Sequence, residues 1–193
     1  MEKKTMDFMD EKIIELRNKN RKKSLEDGLL IKGEFIEFEP VKFFDDKLEI
    51  MLPKTFVDMP SDLAKIKYPS ESRPQIIKTD STGGINFCFN LFEQSVKEDE
   101  LKDIAKTFSK MIKKVNPANV FYDQKTEELG DKIVSWFDFK GYAIDSQIYY
   151  IYYVTVIDGN LLHGIFNCLR EDMEDYKEVA FLVIESIKDL SRR

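Results

Sequence analysis

The stretch "QIYYIYYVTVIDGNLLHGIF", Gln147 to Phe166, decides how this chain is read. It holds four of the eight tyrosines: Tyr149, Tyr150, Tyr152 and Tyr153. Successive side chains of a strand point to opposite faces, so the two registers are read separately. One carries Tyr149, Ile151, Tyr153, Thr155 and Ile157; the other carries Ile148, Tyr150, Tyr152, Val154 and Val156. A sheet wet on one side would show polar residues in one register. Both registers are apolar here, which predicts a central strand covered on both faces. Asp158-Gly159 between apolar runs is the strongest hairpin signal in the chain. The four phenol hydroxyls complicate the picture, because each wants a hydrogen-bond partner when buried. Some must reach a sheet margin, a cleft or water, so the competing reading is a strand that lines a ligand or partner groove.

Around this strand the pattern predicts further strands at about 119–128, 131–140 and 160–168. "PQIIKTD-STGG-INFCFNLF" reads as a hairpin whose glycines can take positive φ. A phosphate-cradling role for Ser81–Gly84 would need a helix directly after it, and a strand follows. "KLEIMLP" and "GEFIEFEPVKFF" are two more strands, and Pro40 makes the second an edge or bulged strand. Asp45-Asp46 reads as the turn between them. Residues 61–67 predict a short helix begun by Ser61. Ser95 with Glu98 is a capping box opening a helix with the stripe Leu101, Ile104, Ala105, Phe108, Met111, Ile112 and Val115. A closing helix is predicted over about 171–190. Tight turns between consecutive strands imply a largely antiparallel sheet. The expected fold is thus α+β, an antiparallel sheet with helices on both faces.

At the other end, Met6, Met9, Ile13 and Leu16 recur at helical spacing and predict an extra N-terminal helix over residues 5–23. Its stripe is too narrow for a stable free helix, so it packs on its own domain or on a partner. The domain division read from the sequence is a helical appendage, residues 1–30, and a single domain, 31–193.

Net charge is −6, which argues against nucleic acid as a partner. The charge is uneven. Residues 1–24 hold eight Lys/Arg against five Asp/Glu, peaking in "RNKNRKK". The plain reading of that run is the solvated C-terminal end of a helix. No apolar run of secretory type opens the chain, and none approaches the ~18 residues that span a bilayer. A cytoplasmic protein is therefore expected, with Cys88 and Cys168 as free buried thiols.

Candidate catalytic groups are few. His163 is the single histidine. Cys168 lies an odd number of residues away and so faces the other side of the strand; Cys88 could reach His163 only across the sheet. No C-x-x-C, H-x-x-x-H or EF-hand pattern is present, so no metal or cofactor is expected. "EDE" at 98–100 reads as a helix start. Asp138, inside "VSWFDFK", reads as a solvated position on a half-open strand. Trp136, the one tryptophan, reads as a core residue or a recognition anchor.

With these elements in order, residues 34–190 resemble the Mog1/PsbP-like family. The resemblance is carried by "LEIMLPKTF", by "INFCFNLF" leading into the 95–115 helix, by "GDKIVSWFDFKGY" through "QIYYIYYVTVIDGNLLHGIFNC", and by the closing "VIESIKDL". It implies an α/β/α sandwich and a mostly non-enzymatic role. Family members include a small-GTPase-binding protein, a photosystem extrinsic subunit and bacterial chaperones for secreted effectors. The expectation is a non-enzymatic protein-binding or adaptor module, in bacteria a secretion-associated chaperone. Its contact surface would come from Trp136, Tyr149, Tyr150, Tyr152 and Tyr153, or from Met6, Met9, Ile13 and Leu16. A protein partner is expected and a second copy of the chain is one candidate; nucleic acid and membrane are not expected. The alternative is a small-ligand-binding protein with a pocket beside strand 147–157.

Overall fold

The Asp158-Gly159 turn sets the register of the two long strands it joins. Both residues take positive φ (52° and 69°), the geometry a two-residue hairpin loop requires. A computed structural model describes residues 24–70, 73–143 and 145–191. The predicted N-terminal helix, with Met6, Met9, Ile13 and Leu16, lies outside the described residues.

The strands are β1 (Leu29–Ile31), β2 (Glu34–Ile36), β3 (Phe38–Phe43), β4 (Leu48–Pro53), β5 (Val57–Asp58), β6 (Ile76–Thr79) and β7 (Asn86–Ser95). They continue with β8 (Val120–Leu129), β9 (Lys132–Tyr142), β10 (Gln147–Ile157), β11 (Asn160–Leu169) and β12 (Lys188–Asp189). The helices are α1 (Ser61–Lys67), α2 (Leu101–Val115) and α3 (Met173–Glu185). Seven strands form one antiparallel sheet in the order β5-β6-β7-β11-β10-β9-β8. β10 is thus interior, hydrogen-bonded to β11 on one side and β9 on the other. A smaller sheet, β12-β4-β3, and the β1-β2 ribbon complete the strands.

The two registers of β10 serve two different cores. Tyr149, Ile151, Tyr153 and Ile157 pack with Phe87, Phe89, Val134, Trp136 and Phe166 beneath α3 and the smaller sheet. Leu48, Ile50 and Leu52 of β4 join that cluster. On the opposite face Val154 and Val156 pack with Phe137, Phe139, Leu101 and Ala105 under α2. The fold is therefore α+β, with an antiparallel sheet and helices on both faces. Among the described residues no helix is long and apolar enough to cross a membrane.

Several expectations need correction. Leu25, Leu29 and Ile31 pack in the α3-side core. Their short apolar run lacked a readable period. The helix cap falls two residues later than expected: Ser95 ends β7, and the Lys97 amide donates to Glu100 Oε2 at 2.8 Å. α3 ends at Glu185, and Lys188–Asp189 pairs with β4 instead of extending the helix. Pro40 lies on β3, the edge of the smaller sheet, where its missing donor faces no neighbour. Asp45 and Asp46 do form the turn, together with Phe44, and all three take positive φ.

Candidate functional site: an aromatic groove between two helices

Because β10 and β11 pair Tyr152 with Ile165 and Tyr150 with Asn167, those residues share a face with His163. β7 extends the same face: Cys88 pairs with Ile165 and Asn90 with His163. Two helices cover this face, each over its own cluster. α2 covers the Phe137, Phe139, Val154 and Leu161 cluster. α1 covers Ile77, Cys88 and Ile165. Tyr150 and Tyr152 pack against both clusters and are half-buried. They line the seam that the two clusters share, called the groove below.

The floor is a run of rings. Tyr150 stacks on Phe139 at 4.8 Å and Tyr152 on Phe137 at 5.5 Å. His163 lies 5.3 Å from Tyr152 and stacks on Phe108 of α2 at 4.9 Å; Phe92, which is exposed, lies 6.4 Å beyond it. Beside Phe108 is a cavity of about 400 Å³, lined by Asp99, Glu100, Asp103, Ile104, Thr107 and Phe108. Its lining is apolar at Ile104 and Phe108 and carries three acids. The α1 wall is anchored by Tyr68. Its hydroxyl accepts from Asn167 Nδ2 at 2.8 Å and from the Cys88 thiol at 3.3 Å. Asn167 Oδ1 in turn accepts from Asn86 Nδ2 at 2.8 Å.

Among the described residues the Tyr150 and Tyr152 hydroxyls make no hydrogen bond to protein. Burial pushes both phenols above their ordinary pKa, so they stay protonated and available as donors. His163 Nε2 is buried without a partner. Burial lowers its pKa from 6.5 to about 4, so the ring is neutral near pH 7. Burial likewise pushes the Cys88 thiol up to about 12. Neither group of the cross-sheet Cys–His pair is therefore ionised at neutral pH. Cys168 lies on the other face, in the α3-side core, as its odd spacing from His163 requires.

The histidine makes stability pH-dependent. Its folded pKa is below its unfolded value, so the unfolded state binds more protons between about pH 4 and 6.5. Stability is complete above 6.5 and falls as pH drops through that window, by about 3 kcal/mol for a shift of this size. Urea unfolding at several pH values is expected to show this loss in the native protein. The His163→Phe variant should lack that share of the slope while keeping the stack. Identical slopes in the two proteins would contradict the assignment.

The residues singled out in the sequence separate into two groups. Tyr150 and Tyr152 are brought together in the groove. Tyr149, Tyr153 and Trp136 are buried on the opposite face and cannot form a contact surface with them. Trp136 Nε1 donates to Glu127. Tyr149 donates to Asp138 Oδ2 at 2.6 Å. Asp138 is 0% exposed, which overturns its reading as a solvated position. It also accepts from Lys177 Nζ at 2.6 Å and from the Asp123 amide at 2.8 Å. The sequence reading missed Phe92, Phe108 and Tyr68 as groove walls. The turn register held the signal for the floor, since pairing Ile157 with Asn160 already places Tyr150, Tyr152 and His163 on one face.

No family model matches the sequence, and no curated protein matches it. The solved structures give the class: this is a Mog1/PsbP-like fold. The cyanobacterial PsbP protein CyanoP from Synechocystis sp. PCC 6803 superposes with a TM-score of 0.55 at 11% identity, over 84% of this chain and 94% of that one. A protein from Bacteroides thetaiotaomicron superposes with a TM-score of 0.52 at 10% identity, over 78% of this chain and 48% of its own length. LpqN of Mycobacterium tuberculosis, described as involved in cell envelope biogenesis, has a TM-score of 0.49 at 13% identity over 88% of this chain and 98% of LpqN.

Proposed function

We propose that this protein is a non-catalytic protein-binding module, an adaptor, that takes an apolar segment of its partner into the groove between α1 and α2. The observation that carries this reading is the pair Tyr150 and Tyr152. They lie half-buried between two helix-covered clusters, and their hydroxyls have no protein partner among the described residues. Rings with an apolar body and an available polar tip are enriched where proteins recognise one another. The exposed Phe92 and the lining residues Ile104 and Phe108 extend the apolar surface.

The test is capture from a native lysate with the wild-type chain and with the double variant Tyr150→Ser/Tyr152→Ser. The wild-type chain is expected to retain a partner that the double variant loses, while circular dichroism shows both folded. Equal capture by the two proteins would overturn the reading. A second reading, small-ligand binding, is favoured by the cavity of about 400 Å³, since ligand sites run from roughly 300 to 1,000 Å³. Native mass spectrometry of the purified chain separates the two: a co-purifying small molecule lost in Ile104→Ser, which alters the cavity lining, supports the second.

A further inference from the structure

We propose that β8, the open edge of the large sheet, pairs with β8 of a second copy of this chain, joining the two sheets across a two-fold axis at Thr126. This surface is distinct from the groove, and the proposal does not depend on the groove's function.

Among the described residues β8 pairs with β9 alone, so it ends the sheet. Leu129 and Lys132 face each other across the Gly130-Asp131 loop, and a two-residue loop makes that pair a hydrogen-bonded one. Hydrogen-bonded and open pairs alternate along an antiparallel ladder. Lys125, Glu127 and Leu129 therefore turn their backbone groups toward β9, while Gln124, Thr126 and Glu128 turn theirs outward. Such an outward row of donors and acceptors is a template for another strand. Edges are commonly guarded by charge or by a bulge. The β8 bulge falls between Phe121 and Gln124 and leaves residues 124–129 regular.

The charges select the occupant. A second β8 meeting the first about a two-fold axis brings one residue opposite itself. Centred on Lys125, the pairing sets lysine against lysine. Centred on Glu127 or Glu128, it sets glutamate against glutamate, and like charges directly opposite are destabilising. Centred on Gln124, it runs into the bulge. Centred on Thr126, Lys125 faces Glu127 of the second copy, and the symmetric contact repeats the pair. Gln124 then faces Glu128 of the second copy in the same way. Every charge from 124 to 128 thus meets an opposite charge or an amide.

The side chains are placed for this register. Gln124, Lys125, Thr126 and Glu128 are exposed, and Glu127 is half-buried. Trp136 holds both members of the ion pair at the edge: its Nε1 donates to Glu127, and Lys125 Nζ lies 5.6 Å over its ring. Among the described residues neither Lys125 nor Glu128 has an ion-pair partner in its own chain. Gln124 Oε1 accepts from the Ser109 hydroxyl at 3.3 Å, which leaves the Gln124 amide N–H groups for the facing Glu128 carboxylate.

The experiment is sedimentation velocity of the full chain at millimolar concentration. The wild type is expected to dimerise, and the dimer to weaken as salt is added. Thr126→Pro removes an outward N–H and leaves the β9 ladder intact, a position where an edge strand accepts proline. It should weaken dimerisation more than about tenfold while circular dichroism is unchanged. Lys125→Glu and Glu127→Lys should each be monomeric alone, because each sets like charges opposite across the axis. An equimolar mixture of the two should form a heterodimer, since the reversed charge of one chain then meets its complement in the other. A monomeric wild type would overturn the proposal. So would Thr126→Pro dimers as stable as those of the wild type, or a mixture of the two folded charge variants that stays monomeric. A monomeric wild type whose lysate partner is lost in Thr126→Pro would assign the edge to a foreign strand and overturn the proposal equally.

Discussion

Gly164→Ala is expected to destabilise the protein by about 3 kcal/mol or more, beyond the usual range for adding a methyl to a core. Gly164 lies on β11 opposite Tyr153 of β10 and opposite Phe89 of β7. The Tyr153 ring lies directly across the glycine. An added Cβ would run into Cζ, Oη and Cε2 of Tyr153. The ring has nowhere to go, because Tyr153 is 1% exposed and packed in the α3-side core. An aromatic laid over a strand glycine restores the packing that the missing side chain gives up. The partner variant distinguishes this clash from a general intolerance of β11. In a Tyr153→Leu background the same Gly164→Ala change should cost clearly less, giving a coupling of roughly 1–3 kcal/mol in a double-mutant cycle. Tyr153→Phe is expected to be neutral or mildly stabilising, since it removes a buried hydroxyl that has no hydrogen-bond partner. Urea unfolding reads the four variants against the wild type. A Gly164→Ala variant within 1 kcal/mol of the wild type, on the scale of ordinary substitutions, would contradict the packing described.

Asp138→Ala is expected to cost about 3–5 kcal/mol, the range for removing one member of a buried ion pair. The carboxylate joins three elements. Oδ2 accepts from Tyr149 of β10 and Lys177 of α3, and Oδ1 accepts from the Asp123 amide of β8. The last bond has a local reason. The β8–β9 register shifts between Phe121 and Gln124, so the Asp123 amide leaves the ladder, and the buried carboxylate takes it instead. Alanine would strand the Tyr149 hydroxyl, the Asp123 amide and the Lys177 ammonium together. Asp138→Asn keeps an acceptor for the amide and should cost less than alanine. A spectroscopic readout accompanies the unfolding curves. Burial first, and then the carboxylate, hold the Tyr149 phenol above its ordinary pKa. In Asp138→Asn the carboxylate's share disappears, and one tyrosine should ionise at lower pH than in the wild type. Unchanged stability in Asp138→Ala would remove the network's claim to join the two layers.

These two positions mark where the amino-acid sequence was and was not readable. Tyr153 was legible as a residue of a doubly covered strand, because period-2 alternation is a local property. The hairpin partners on either side of Asp158-Gly159 were legible for the same reason, and turn chemistry supplied the register. Gly164 was not singled out. Its role depends on which side chain a neighbouring strand lays over it, and one sequence does not print cross-strand neighbours. Asp138 was misread because the sequence offered only a solvated carboxylate or a catalytic one, and nothing near it in the chain marked its partners. Its donors lie 11, 15 and 39 residues away, on three separate elements. Of the groove, the two floor tyrosines were named, but with Tyr149, Tyr153 and Trp136 beside them as if all shared one surface.

Local chemistry therefore settled the strand order along the chain, the antiparallel turns, the amphipathic α2 and the two-faced β10, because propensity, period and turn residues act over a few positions. A strand apolar in both registers requires cover on both sides, which is the layering the fold has. Folding decided which register faced which layer. It placed α1 and α2 on the Tyr150–Tyr152 face over two separate clusters, put α3 and the smaller sheet over Tyr149 and Tyr153, and brought Lys177 onto Asp138. Those outcomes depend on packing between segments far apart in sequence, where burial and hydrogen-bond satisfaction are balanced over the whole domain.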